Sequence, residues 1–128
     1  LGAPVVIRGS ILVGFISELG DSVSVMQLLT HPESSLPAEI LSEESASRGL
    51  VRGKSFTGVE IVTIPRDVSV SIGQKVTTVN QDRLVPQGLL IGNVSDVEEE
   101  EHEPYQKALL SLPYNADDMV AVTVLVLP

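Results

Sequence analysis

The chain has 128 residues, enough for one domain or two very small lobes whose core needs no covalent staples. Apolar residues make up 43% and aromatics only 3%, with no Trp and no Cys; the core must come from Val, Leu and Ile, and disulfide and thiolate chemistry are excluded. A net charge of −9, with 8 basic residues scattered along the chain, excludes a nucleic-acid surface and disfavours an anionic membrane face.

The first predicted strands cover residues 4–8, 11–17 and 22–29, separated by Gly9-Ser10 and by Gly20-Asp21. In the third, Val23 and Val25 alternate with Ser22 and Ser24, the period of a half-buried strand. Pro32 stops that run, a strand resumes over 36–41, and the polar stretch 42–47 reads as a loop. Residues 48–53 form a short strand carrying Gly49 and Gly53, and 59–64 is apolar and β-branched. Weak alternation over 74–79 is followed by a strand over 89–97 that runs into Asp96, Glu98, Glu99, Glu100, Glu101 and Glu103. Those acids read as a solvated run, since a calcium loop needs a glycine at its sharp turn and none stands there. The chain returns over 105–112, loops with at most one helical turn over 113–118, and ends on alternating Val120, Val122, Val124 and Val126. About ten short strands at intervals of about ten residues define an all-β sandwich or barrel, and closure is favoured because it removes apolar edges.

Two stretches set the turns. Ile72-Gly73-Gln74-Lys75-Val76-Thr77-Thr78 and Leu84-Val85-Pro86-Gln87-Gly88-Leu89-Leu90-Ile91-Gly92-Asn93-Val94 read as strand, glycine-proline turn, strand. We assign Gly49, Gly53, Gly73, Pro86, Gly88 and Gly92 as structural turn residues. None of these positions performs chemistry.

Nor does the remainder offer a reactive constellation. His31 and His102 lie about seventy residues apart with no Cys between them, which does not make a zinc site. Gly20-Asp21-Ser22 superficially resembles a serine-peptidase nucleophile loop, but Val23 stands where glycine must free the oxyanion amides, and His31 follows the serine instead of preceding it. Gly49 and Gly53 are not followed by a Lys-Ser/Thr pair opening a helix, so they do not cradle phosphate. Asp67 beside Arg66, and Asp117 beside Asp118, read as solvated turn residues. The expectation is no catalytic residue, no metal and no cofactor.

Taken together, the motifs resemble the extracytoplasmic β-domain of the MreC family of bacterial rod shape-determining proteins. The resemblance runs through Val13-Gly14-Phe15-Ile16-Ser17-Glu18-Leu19-Gly20, Leu28-Leu29-Thr30-His31-Pro32-Glu33-Ser34-Ser35-Leu36-Pro37-Ala38, Arg48-Gly49-Leu50-Val51-Arg52-Gly53 and the 64–78 and 84–94 stretches. The chain departs from the family pattern at His31 (Asp in the family), Gln74 (Asp), Val79-Asn80 (Ser-Gly) and Val85 (Phe).

The resemblance implies residues 1–128 as one extracytoplasmic β-domain of two small six-stranded β-barrels packed together, with little helix. It further implies a non-enzymatic scaffold of the cell-elongation complex that organises peptidoglycan synthesis. The implied partners are a class B penicillin-binding transpeptidase, MreD and the cytoskeletal elongation proteins, together with self-association as a dimer or longer assembly. No apolar run is long enough to span a membrane, no signal peptide is present, and the first residue is Leu1, so the chain reads as an excised soluble fragment; the resemblance implies that a transmembrane helix and a coiled coil precede it. Leu84, Val85, Leu89, Tyr105 and Tyr114 are the partner-contact candidates, being apolar or aromatic and close to turns. Two alternatives stay open on sequence grounds: the β-barrel adaptor of a membrane-fusion or secretion system, and a degenerate chymotrypsin-like barrel.

Overall fold

The computed structural model describes residues 2–42, 46–54, 58–80, 85–99, 103–114 and 122–125. Among them lie ten strands and no helix: β1 (Pro4–Ile7), β2 (Ile11–Leu19), β3 (Ser24–Leu28), β4 (Ser35–Leu41), β5 (Ala46–Gly53), β6 (Val59–Pro65), β7 (Lys75–Thr78), β8 (Leu90–Glu99), β9 (Tyr105–Ser111) and β10 (Thr123–Val124). Leu84, His102, residues 115–121 with Val120 among them, and Val126 fall outside the described residues.

Six strands close on themselves in the order β4-β5-β6-β9-β8-β7 and back to β4, each antiparallel to its neighbours. The fold is therefore all-β with a six-stranded barrel. Alternation sends Leu36, Ala38 and Ile40 of β4 inward, with Val51, Val59, Ile61, Val76, Ile91, Ala108 and Leu110 from the other five strands. Among the described residues no aromatic ring is fully buried in this core, Phe15 packing against it only partly buried; β-branched and Leu side chains fill the narrow interior. Bulges between Ile61 and Ile64, Val76 and Thr77, and Val94 and Asp96 tighten the bend that closure demands.

Two buried polar side chains pin the loops at the barrel ends. Thr78 Oγ1 donates to Pro86 O at 2.7 Å and accepts from Leu89 N at 3.0 Å, holding the turn that contains Gly88 at φ 92°. Gln106 Nε2 donates to Pro65 O at 3.1 Å and Val68 O at 2.6 Å, so the connection after β6 is tied to β9. Each satisfies carbonyls that burial would otherwise leave unpaired.

The second unit among the described residues is a four-stranded antiparallel sheet, β10-β1-β2-β3, joined to the barrel by a parallel contact at Ile11 and Leu90. Its β1–β2 turn places Arg8 at φ 53° and Gly9 at φ 78°, the mirror-image turn that suits a right-twisted hairpin. One face contributes Val6 and Leu12 to the barrel core; the other packs Val5, Ile7, Ile11, Val13 and Ile16 into a separate small core.

Two expectations need correction. Ala46 and Ser47 are strand, not loop, because pairing with Leu41 and Ile40 supplies backbone bonds whatever the side chains. Gly49, Gly53 and Gly92 lie inside strands rather than turns. At Gly53 a Cβ would sit 2.1 Å from His31 O and 2.5 Å from Leu29 O, so the residue is glycine because another backbone crosses it closely. Gly73, at φ 95°, and Gly88 occupy turns that a side chain would strain.

Candidate protein-docking surfaces

The barrel interior is filled, so any function has to be read from the exterior. Of the contact candidates, Leu89 belongs to the barrel core and presents nothing to a partner, which corrects its assignment: the Thr78 clamp turns its side chain inward. Val85 is half-buried beside Pro86, and Leu84 lies outside the described residues. Tyr114 packs its ring on the small core, and desolvation by burial pushes its phenol from 10.0 up to about 12. Tyr105, at the start of β9, is 51% exposed.

Tyr105 stands on the rim of a shallow depression of about 200 Å³ lined also by Arg52, Val62, Thr63, Glu98 and Lys107. The β6 bulge makes it: Thr63 takes φ 58°, a left-handed conformation that a β-branched residue rarely adopts. A ladder of alternating charge crosses four adjacent strands beside it. Arg52 Nε on β5 meets Glu60 Oε1 on β6 at 2.8 Å, Glu60 Oε2 faces Lys107 Nζ on β9 at 4.0 Å, and Lys107 reaches Glu98 on β8 at 3.4 Å. Glu60 is buried beneath these cations although its strand position points outward, and its Oε2 has no hydrogen-bond partner among the described residues. Sequence reading passed over Glu60; the signal available was its place between Val59 and Ile61 in a strongly apolar strand.

A second surface is the β2–β3 hairpin, where Leu19, Val23 and Val25 are 66%, 74% and 47% exposed. A third is an open groove of about 920 Å³ lined by Ile40, Ser42, Ser47, Asp67, Ser69 and Lys75. It holds no aromatic platform and no clustered acid or base.

His31, weighed above as a metal ligand, takes a structural role. His31 Nδ1 accepts the Glu33 amide at 3.0 Å, so the imidazole braces the turn leading into β4. Among the described residues no three His, Cys, Asp or Glu side chains are grouped to hold a metal, and no helix is long and apolar enough to cross a membrane.

A small closed barrel with a filled interior, an appended sheet and exposed apolar points on its outside defines a protein that works through its surface. Residues 2–126 match the family described as rod shape-determining protein MreC, barrel core, and the chain belongs to that family. A search of curated proteins gives no match. Among solved structures, MreC of Listeria monocytogenes is 23% identical with a TM-score of 0.83, over 94% of this chain and 59% of that one. The MreC of a Helicobacter pylori complex with the penicillin-binding protein PBP2 is 19% identical with a TM-score of 0.77, over 95% of this chain and 75% of the other. A third, described as the major periplasmic domain of the cell shape-determining filament MreC, is 19% identical with a TM-score of 0.72, over 87% and 68%. The chain thus spans about 59% of the Listeria chain. Family membership replaces both alternatives left open on sequence grounds, the secretion adaptor and the peptidase-like barrel.

Proposed function

We propose that this chain is a non-enzymatic scaffold domain acting outside the cytoplasmic membrane, where it organises peptidoglycan synthesis for cell elongation. Its principal partner is a class B penicillin-binding transpeptidase, with MreD and the cytoskeletal elongation proteins completing the complex. A transmembrane helix preceding this segment tethers it, and copies of it associate with one another. The barrel and the β1–β3 sheet act as two subdomains within residues 1–128. The observation that carries this reading is the family match over residues 2–126, supported by a relative of the same fold in complex with PBP2 and another described as periplasmic.

Tyr105 is the contact we favour, because an exposed ring beside a small depression is the kind of anchor that dominates protein interfaces. Isothermal titration of this chain against the extracytoplasmic part of the transpeptidase from the same bacterium tests the reading. Binding is expected, and Tyr105→Ala should weaken it about tenfold, or about 1.4 kcal/mol, with the melting temperature unchanged. Absence of binding by the unmodified chain overturns the partner assignment.

A further inference from the structure

We propose that the depression beside Tyr105 seats a basic side chain of a partner protein, its aliphatic stem against the Tyr105 ring and its cation between the carboxylates of Glu98 and Glu103. This rests on the docking role given to Tyr105 above and adds the chemistry that the site selects.

The charges around the depression leave one carboxylate over. Arg52 Nε is held by Glu60 Oε1 at 2.8 Å, and Lys107 Nζ lies 3.4 Å from Glu98 Oε2, so each cation of the wall is already answered. Glu103 also lines the wall. Its main-chain oxygen accepts from Arg66 Nη1 at 3.2 Å, while Arg66 Nη2 faces Glu99 at 4.0 Å. Among the described residues nothing pairs with the Glu103 carboxylate. Glu60, Glu98 and Glu103 thus set three negative charges against the two positive ones of Arg52 and Lys107.

A second shortage lies beneath. The Glu60 side chain is 5% exposed, and its Oε2 has no hydrogen-bond partner among the described residues. Lys107 Nζ stands 4.0 Å from that oxygen because Glu98 holds it at the shorter distance. A buried acceptor without a donor is costly. A cation that takes over Glu98 releases Lys107 to close on Glu60, so binding supplies the missing donor. An anion would instead compete with Glu60 and Glu98 for the same two cations, on a molecule of net charge −9.

Size and surface favour one side chain over a free ligand. The depression holds about 200 Å³, below the roughly 300–1,000 Å³ of small-molecule pockets. Tyr105, half exposed on its rim, offers an aromatic face to a cation, and Val62 gives the stem an apolar contact.

Amide NMR titration of the chain with Nα-acetyl-lysine methylamide and Nα-acetyl-arginine methylamide tests the site. Both should shift the Tyr105, Lys107 and Glu98 amides saturably, with dissociation constants of about 1–10 mM that rise with salt. The neutral norleucine analogue should not. Tyr105→Leu and Glu103→Gln should each weaken binding about two- to fivefold. Asp67→Asn, which removes the same charge from the separate groove, should change nothing. Circular dichroism melting should confirm that every variant is folded. No saturable shift, an equal response to norleucine, or a Glu103→Gln variant that binds like the parent overturns the proposal. Against the transpeptidase, Glu103→Lys should weaken the complex at least about tenfold; a complex indifferent to that reversal also overturns it. Saturable binding of the basic probes without any transpeptidase complex would sink the partner assignment and leave the site standing.

Discussion

Tyr114 shows how much a single side chain depends on what surrounds it. Its ring lies on the small core and its phenol titrates near 12, against 10.0 for a free tyrosine. The unfolded chain therefore loses this proton first. Stability from the neutral phenol is intact below pH 10, falls as pH rises through about 10 to 12, and is constant above that. The difference amounts to about 2–3 kcal/mol. Tyr114→Phe should flatten the decline, and urea unfolding at pH 9 and pH 11.5 should show parent and variant diverging only at the higher pH; parallel loss in both would refute the assignment. As a partner contact Tyr114 is poorly placed, whereas Tyr105, of the same residue type and equally close to a turn in sequence, is half exposed. Nothing local separates the two. Their difference is made by residues distant in the chain.

At the scale of elements, closure depends on strands passing close to other backbone. Gly53 ends β5 against the turn that follows β3, with Gly53 N donating to Ser34 O at 3.1 Å. Gly53→Ala must push a methyl group into two carbonyl oxygens, and either that turn or the end of β5 has to move. The expected cost is about 2–4 kcal/mol, measured as a shift in the denaturation midpoint at constant slope. Gly58→Ala, where a Cβ would meet nothing within 4 Å, is the control and should change stability by less than about 1 kcal/mol. The charge ladder works at this scale too. Arg52, Glu60, Lys107 and Glu98 come from four strands, so their alternation exists only once β5, β6, β9 and β8 are in register. With Arg52 and Lys107 partly in water, the ladder contributes more to register than to net stability.

The whole molecule has two cores but one continuous seam between them. Val6 and Leu12 belong to strands of the appended sheet yet sit in the barrel core, so the sheet cannot leave without opening the barrel. Unfolding should be a single transition. Hydrogen exchange should give Ile91 in the barrel and Val13 in the small core the same opening free energy. Leu12→Ala, which removes a fully buried side chain at the seam, should cost about 2–5 kcal/mol and lower both together. Separate opening energies for the two amides would show that the lobes fold independently.

Strand positions were legible in the sequence because the period-two pattern and the glycine and proline punctuation are local properties of the chain. Ile11 to Gly14, Val59 to Ile64 and the 105–112 return all announced themselves that way. The expectation of no catalytic or metal site likewise came from the sequence, in which the motif spacings of zinc, serine-peptidase and phosphate sites do not occur. What only the tertiary structure decided is which strand lies beside which. The pairing of β4 with β7 and of β6 with β9 determines that Leu89 is core and that Glu60 is covered by two cations. Those outcomes rest on hydrogen bonds and contacts between residues far apart in the chain, and no local pattern records them.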